Sequence, residues 1–101
     1  MHRVATRLTS LIDGGPTAGA GGGHELPVIC PATEQPVSTL VEAGEAEVAA
    51  AVASARRAFD EGPWPRLPLA ARKDILYGIR DVIRQHADEL AYLECLNAGL
   101  P

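Results

Sequence analysis

The spacing of apolar residues along the chain changes once, near residue 45. Before that point, apolar and polar residues alternate over short stretches bounded by Gly and Pro, which is typical of β-strands. After it, apolar residues recur every three or four positions, which is typical of amphipathic helices. The pattern therefore predicts an α+β chain in which short antiparallel strands come first and two to three long helices follow.

Residues 11–41 hold the predicted strands and a glycine-rich loop, and residues 1–10 are predicted to form a flexible tail leading into them. "LTSLI" is read as one extended segment that ends at the turn signal "DGG". "ELPVIC" and "PVSTLV" are predicted to pair as a hairpin, because "CPATEQP" between them has the composition of a tight connection. Pro27, Pro31 and Pro36 are expected to confine both strands to sheet edges, since proline donates no ladder hydrogen bond.

Residues 45–61 are predicted to form the first helix, with Val48, Val52 and Phe59 on its apolar stripe and a stop at "GP". A second helical stretch covers residues 68–98. Unbroken, it would be about 46 Å long, whereas a compact chain of this length has a radius of gyration of about 13 Å. Either this helix bends near His86, or it packs against protein outside the chain.

The 101-residue length permits one domain. Apolar residues make up 47% of the chain but aromatic residues only 4%, so the core must consist of small aliphatic side chains and be thinly stabilised. The net charge of −4 offers no basic surface for nucleic acid or an anionic membrane. No apolar run approaches the roughly 20 residues that a membrane span requires. We therefore expect neither nucleic acid nor a membrane as a partner.

The residues that could act as metal ligands, nucleophiles or general acids and bases do not have the spacing of a known site. His2, His24 and His86 lack the spacing of a metal site, and Cys30 and Cys95 lie too far apart for a zinc or disulfide pattern. Unpaired cysteines favour a reducing cytoplasm. The acids follow helix surfaces and first turns, where solubility and the helix dipole explain them. Considered residue by residue, the sequence predicts no active site.

Several stretches in a fixed order nevertheless carry a family resemblance. "LIDGG" is followed by "VICPATEQPVSTL", by "ARRAFDEGPW" at 55–64, by "AAR" and by "HADELAYLECLNAGLP". In this order and spacing they resemble the amino-terminal part of an aldehyde dehydrogenase over residues 11–101, and 55–64 is the most specific portion. The resemblance implies an incomplete amino-terminal part of a coenzyme-binding domain, in a parent of Rossmann-like α/β fold.

The resemblance also implies an activity for the parent enzymes. They oxidise aldehydes to carboxylic acids with NAD or NADP, and they are homodimers or homotetramers. Their catalytic cysteine, catalytic glutamate and coenzyme contacts lie downstream of the matched region, and neither Cys30 nor Cys95 occupies the nucleophile's motif. We therefore expect the isolated chain to be inactive alone and to bind no coenzyme. In the family, the helix stop "NAGLP" leads into a further helix. We therefore expect this chain to be a truncated amino-terminal part of a longer protein.

One candidate metal site follows from the resemblance. Many family members bind a monovalent cation, and the matching positions here are Val28, Ile29 and Asn97. Backbone carbonyls and an amide oxygen are ligands that hard cations accept. Asn97 stands where the family has a charged acid, which weakens the attraction, and we favour a helix-capping role for it. Cys30 and Glu34 also depart from the family, which usually has asparagine and a turn glycine at these positions.

A second hypothesis of a different class stays open. The chain could be a stand-alone helical interaction module that self-associates, or binds a full-length relative, through its exposed apolar helix faces.

Overall fold

The elements of the computed structural model follow the predicted order of strands and then helices. It describes residues 4–18 and 23–101, so residues 19–22 of the predicted glycine loop lie outside the described part. The elements are β1 (Arg7–Leu8), β2 (Leu11–Ile12), β3 (Gly15–Pro16), β4 (Glu25–Ile29), β5 (Pro36–Val41), α1 (Glu45–Glu61), a 3₁₀ turn (Trp64–Arg66), α2 (Leu69–Gln85) and α3 (Ala87–Ala98). The α+β class is confirmed, with three helices.

The predicted hairpin of β4 and β5 supplies two strands of a three-stranded sheet. The two strands are antiparallel, with Leu26 opposite Leu40 and a register shift between Val28 and Ile29. β1 pairs in parallel with β5, so the strand order is β1-β5-β4 and β5 is central. The expectation of edge positions is therefore wrong for β5. Pro36 is tolerated because it is the first residue of the strand, where a missing N–H breaks little of the ladder.

Residues 7–12 differ from the sequence-based expectation. Arg7 and Leu8 belong to the sheet as β1, although the sequence places residues 1–10 in a tail, and "LTSLI" is divided between β1 and β2. A two-residue strand is too short to show a period, so the pattern could not identify it. β2 and β3 form a tight hairpin around Asp13 and Gly14, whose φ angles of 54° and 78° are left-handed.

The long helical stretch breaks at His86, which answers the question of its length. His86 lies between α2 and α3 with φ −107° and ψ 19°, outside helical geometry. Its N–H still donates to the carbonyls of Val82 and Ile83, at 3.1 and 3.2 Å. Its own carbonyl accepts from the N–H of Leu90 at 2.9 Å. The chain therefore changes direction without leaving its backbone groups unpaired.

Burial is slight among the described residues. Cys30 and Val41, each 3% exposed, are the buried apolar residues of this part of the chain. The radius of gyration is 17.1 Å and the extents are 47 × 35 × 17 Å, whereas a compact chain of this length has a radius near 13 Å. The described residues therefore form a flat layer whose helices expose their apolar faces. None of the described helices combines the length and apolar character that crossing a bilayer requires.

Candidate functional site

The end of α3 lies against the turn that follows β4. Gly99 has φ 71°, the left-handed geometry of a helix C-terminus, and its N–H donates to the carbonyl of Cys95 at 2.9 Å. A Cβ added at Gly99 would lie 3.0 Å from Cβ of Pro31 and 3.2 Å from the nitrogen of Ala32. This close approach brings the chain near Asn97 toward the segment that follows Val28 and Ile29.

Asn97 is engaged within its own helix. Its Nδ2 donates to the carbonyl of Leu93 at 3.0 Å, one turn earlier. It also lines a cavity of about 300 Å³ between β1, β5 and α3, together with the hydroxyl-bearing Ser38 and the carboxylate-bearing Glu89. Glu89 in turn contacts Nδ1 of His86 at 3.2 Å. The bond to Leu93 uses the amide nitrogen of Asn97 and not its Oδ1, so the role of Oδ1 as a cation ligand beside the carbonyls of Val28 and Ile29 stays a prediction.

The predicted cation ligands are oxygen atoms, which a monovalent cation accepts, but none of them carries a negative charge. Val28 and Ile29 lie at the irregular step of the hairpin, and Asn97 is a neutral amide. Two carbonyls and an amide carry no formal charge to offset the lost hydration of a cation. Within residues 4–18 and 23–101, no group of three or more His, Cys, Asp or Glu side chains is placed to hold a metal ion.

Cys30 occupies a polar turn. Its N–H donates to the carbonyl of Gln35 at 2.9 Å, and its carbonyl accepts from the N–H of Glu34 at 2.8 Å. Hydrogen bonds from the hydroxyl of Thr33, then from the backbone N–H groups of Thr33 and Ala32, hold the pKa of the Cys30 thiol below its usual value. Burial opposes them as the smallest contribution. Glu34 lies in this turn with φ 58°, a left-handed conformation that favours glycine.

The other candidate residues are dispersed. Cys95 is half-buried on α3, and both cysteines are free thiols. His24 lies beside β4, where its carbonyl accepts from the N–H of Glu42 at 2.8 Å, and His86 lies at the helix junction. His2 is outside the described residues. Within the described residues, no side-chain hydrogen bond joins a histidine to a cysteine as a base to a nucleophile.

In the sequence Arg72 is distinguished only as part of the stretch "AAR", and the structure gives it a distinct environment. Arg72 is half-buried in the first turn of α2, and its Nε is shielded from solvent without a hydrogen-bond partner among the described residues. The sequence carried a signal for this. Arg72 lies three residues after Leu69 and four before Leu76, and therefore within the apolar stripe of the helix.

Comparisons with known proteins give one consistent answer. The model of the aldehyde dehydrogenase family matches residues 18–101. "Aldehyde dehydrogenase 1" of Tanacetum cinerariifolium is 42% identical over 95 residues, which cover 94% of this chain and 19% of that protein. "Benzaldehyde dehydrogenase, mitochondrial" of Antirrhinum majus is 34% identical over 98 residues, which cover 97% of this chain and 18% of that protein.

A solved structure agrees with these matches. The NAD-dependent aldehyde dehydrogenase from Sinorhizobium meliloti is 37% identical, with a TM-score of 0.81, over 93% of this chain and 19% of that one. The chain thus spans about a fifth of the length of the relatives it matches.

Proposed function

Since this chain belongs to the aldehyde dehydrogenase family, we propose that it forms the amino-terminal part of the coenzyme-binding domain of an enzyme that oxidises an aldehyde to a carboxylic acid. The observation that carries the proposal is the likeness to the Sinorhizobium meliloti enzyme, because 37% identity and a TM-score of 0.81 extend over 93% of the chain. The match includes the strands as well as the helices, which supports a shared domain and does not favour a stand-alone helical module.

The coenzyme of the whole enzyme is proposed to be NAD or NADP, and the described residues are proposed not to bind it by themselves. The cavity between β1, β5 and α3 has the carboxylate of Glu89 in its wall. A pyrophosphate needs backbone N–H groups or cations, so this cavity does not fit a dinucleotide. We derive no catalytic step from these residues, and neither Cys30 nor Cys95 is proposed as a nucleophile.

The contribution of this region to the enzyme is proposed to be structural. The β4–β5 hairpin and the three helices build a layer against which other parts of the coenzyme domain pack. Asn97 is proposed to stabilise the end of α3 through its bond to Leu93, rather than to coordinate a cation. The enzyme is proposed to be a homodimer or homotetramer in the cytoplasm. Two free thiols support a reducing compartment, although two matched relatives are mitochondrial by name.

A segment exchange tests this proposal. The matched segment of the Sinorhizobium meliloti enzyme is replaced by the corresponding residues of this chain, and formation of reduced nicotinamide is followed with an aldehyde substrate. We expect the chimera to fold and to retain NAD-dependent oxidation. The matched control carries Val41→Asp, which places a carboxylate at a position that is 3% exposed and should abolish folding. An inactive or insoluble chimera, made alongside an active parent enzyme, would contradict the proposal.

A further inference from the structure

The guanidinium of Arg72 has one nitrogen atom without a partner among the described residues. Its Nε is shielded from solvent, and no hydrogen bond or ion pair joins it to a described residue. Other described arginines reach an acceptor: Arg7 binds Glu25, Arg56 binds Asp60, Arg57 binds Asp13, and Arg80 binds Asp81. Arg84 also has no partner within the described residues, but it is exposed to water. A shielded N–H donor without an acceptor is unfavourable, so Arg72 favours an acceptor beyond the described residues.

Arg72 lies near the amino-terminal end of an exposed apolar stripe on α2. Its neighbours at helical spacing are Leu69, Leu76, Ile79 and Ile83, which are 52–64% exposed. These five residues, from here on the α2 stripe, present four aliphatic side chains around one cation. Exposed aliphatic surface of this extent favours contact with another protein surface. The cation adds a requirement for an acidic group at one defined point.

We infer that the α2 stripe docks against the part of an aldehyde dehydrogenase polypeptide that this chain does not match, and that a carboxylate of that part accepts hydrogen bonds from Arg72. The inference rests on the proposed function. The matched relatives are about five times as long as the aligned region, and the fold of this chain recurs within one of them.

A second copy of this chain suits the α2 stripe less well. In a symmetric antiparallel pair of α2 helices, the acids that α2 offers are Asp74 and Asp81, and at about 100° per residue both lie on the face of the helix opposite the α2 stripe. Asp81 is already bound to Arg80 at 2.8 Å. Pairing Arg72 with Asp74 would centre the two helices near residue 73 and leave Ile79 and Ile83 uncovered. A carboxylate from a different surface satisfies Arg72 and covers the whole stripe.

The test compares one substitution in two settings. Arg72→Met keeps an unbranched apolar side chain and removes the charge, and Arg84→Met is the matched control on the same helix. Both are made in the 101-residue chain and in the Sinorhizobium meliloti chimera. We expect Arg72→Met to lower the Tm of the chimera by several degrees while leaving that of the chain alone unchanged or raised, because only the chimera supplies the carboxylate. Arg72→Lys should restore part of the chimera's Tm, because it keeps the charge without the planar fork.

Each other outcome has a definite meaning. An equal loss of Tm in both settings would assign Arg72 an internal role and overturn the inference. So would an unchanged Tm of the Arg72→Met chimera, or a dimer of the 101-residue chain, seen by light scattering, that Arg72→Met dissociates. A chimera that fails to fold before any of these variants is made counts against the proposed function itself, and the inference falls with it.

Discussion

Asp13 and Arg57 join the first hairpin to the first helix. Oδ1 of Asp13, in the turn between β2 and β3, lies 3.2 Å from Nη2 of Arg57 on α1. The same oxygen accepts a hydrogen bond from Oγ of Ser54 at 3.1 Å. Asp13 also has φ 54°, a conformation that aspartate tolerates better than most residues because its short side chain bonds locally. One residue thus sets both the turn and its contact with the helix.

Asp13→Asn should lower the free energy of unfolding of the chain by about 0.2–1 kcal/mol, because both partners are more than half exposed and water screens the pair. The loss should shrink at high salt, since salt already weakens the wild-type pair. Urea unfolding at two salt concentrations measures both effects. Asp13→Val is the contrasting variant and should cost more, since a branched side chain is strained at this φ. Equal effects of the two variants would show that the backbone conformation of Asp13 is unimportant.

Gly99→Ala should destabilise the chain by about 1–2 kcal/mol. Alanine at φ 71° is strained, and its Cβ would lie 3.0 Å from Pro31. Gly78→Ala is the matched control, because a Cβ at Gly78 in the middle of α2 meets nothing within 4 Å. That variant should stabilise the chain by up to about 1 kcal/mol, the helix-propensity difference between the two residues. Thermal melting of both variants measures these changes in stability. Changes of the same sign in the two variants would contradict the described packing of α3 against the turn.

The lowered pKa of Cys30 makes stability depend on pH in a defined direction. Between the pKa of the folded state and the higher pKa of the unfolded state, the unfolded chain binds more protons, so stability rises with pH. The contribution is fully present above the unfolded pKa and is lost as the pH falls through the folded value. Urea midpoints measured from neutral to alkaline pH should therefore rise more steeply for the wild type than for Cys30→Ser.

Thr33→Val is expected to weaken the same dependence, because the Thr33 hydroxyl makes the largest contribution to the lowered pKa. Cys95→Ser controls for the loss of a thiol elsewhere and should leave the difference intact. Identical slopes for the wild type and Thr33→Val would remove the hydroxyl as the cause.

Exchange of the solution cation tests the role of Asn97. Potassium is replaced by choline at constant ionic strength, and the Tm is measured. We expect no change for the wild type, because the oxygen donors at this place bring no negative charge. Asn97→Asp should create a dependence on potassium, since a carboxylate supplies that charge. A wild-type Tm that falls in choline would establish a cation site at Val28, Ile29 and Asn97 after all.

The predictability of this chain from sequence depended on the length of each element. The 3.6-residue period of α1 and the composition of the β4–β5 turn are signals repeated over many residues, and both elements form as expected. β1 has only two residues, and its parallel pairing with Thr39 and Leu40 joins positions more than thirty apart. No local pattern specifies such a contact. The central position of β5 follows from this pairing and was missed for the same reason.

The candidate site was less predictable than the fold. The sequence identified Asn97 by resemblance, but the choice of its Nδ2 as a donor to the carbonyl of Leu93 depends on the side-chain conformation, which the sequence does not specify. Arg72 was visible as a charge within an apolar stripe. Whether water reaches its Nε is a property of three-dimensional packing, which the stripe alone does not report.

The 17 Å thickness of the described layer has a consequence for its backbone dynamics. An α-helix with its side chains is about 10–12 Å across, so little beyond a single helix lies between the two faces. With α2 open to water along its apolar stripe, we expect its amide hydrogens to exchange with deuterium through local fraying in the isolated chain. The slow exchange that marks global opening belongs to helices enclosed on several sides.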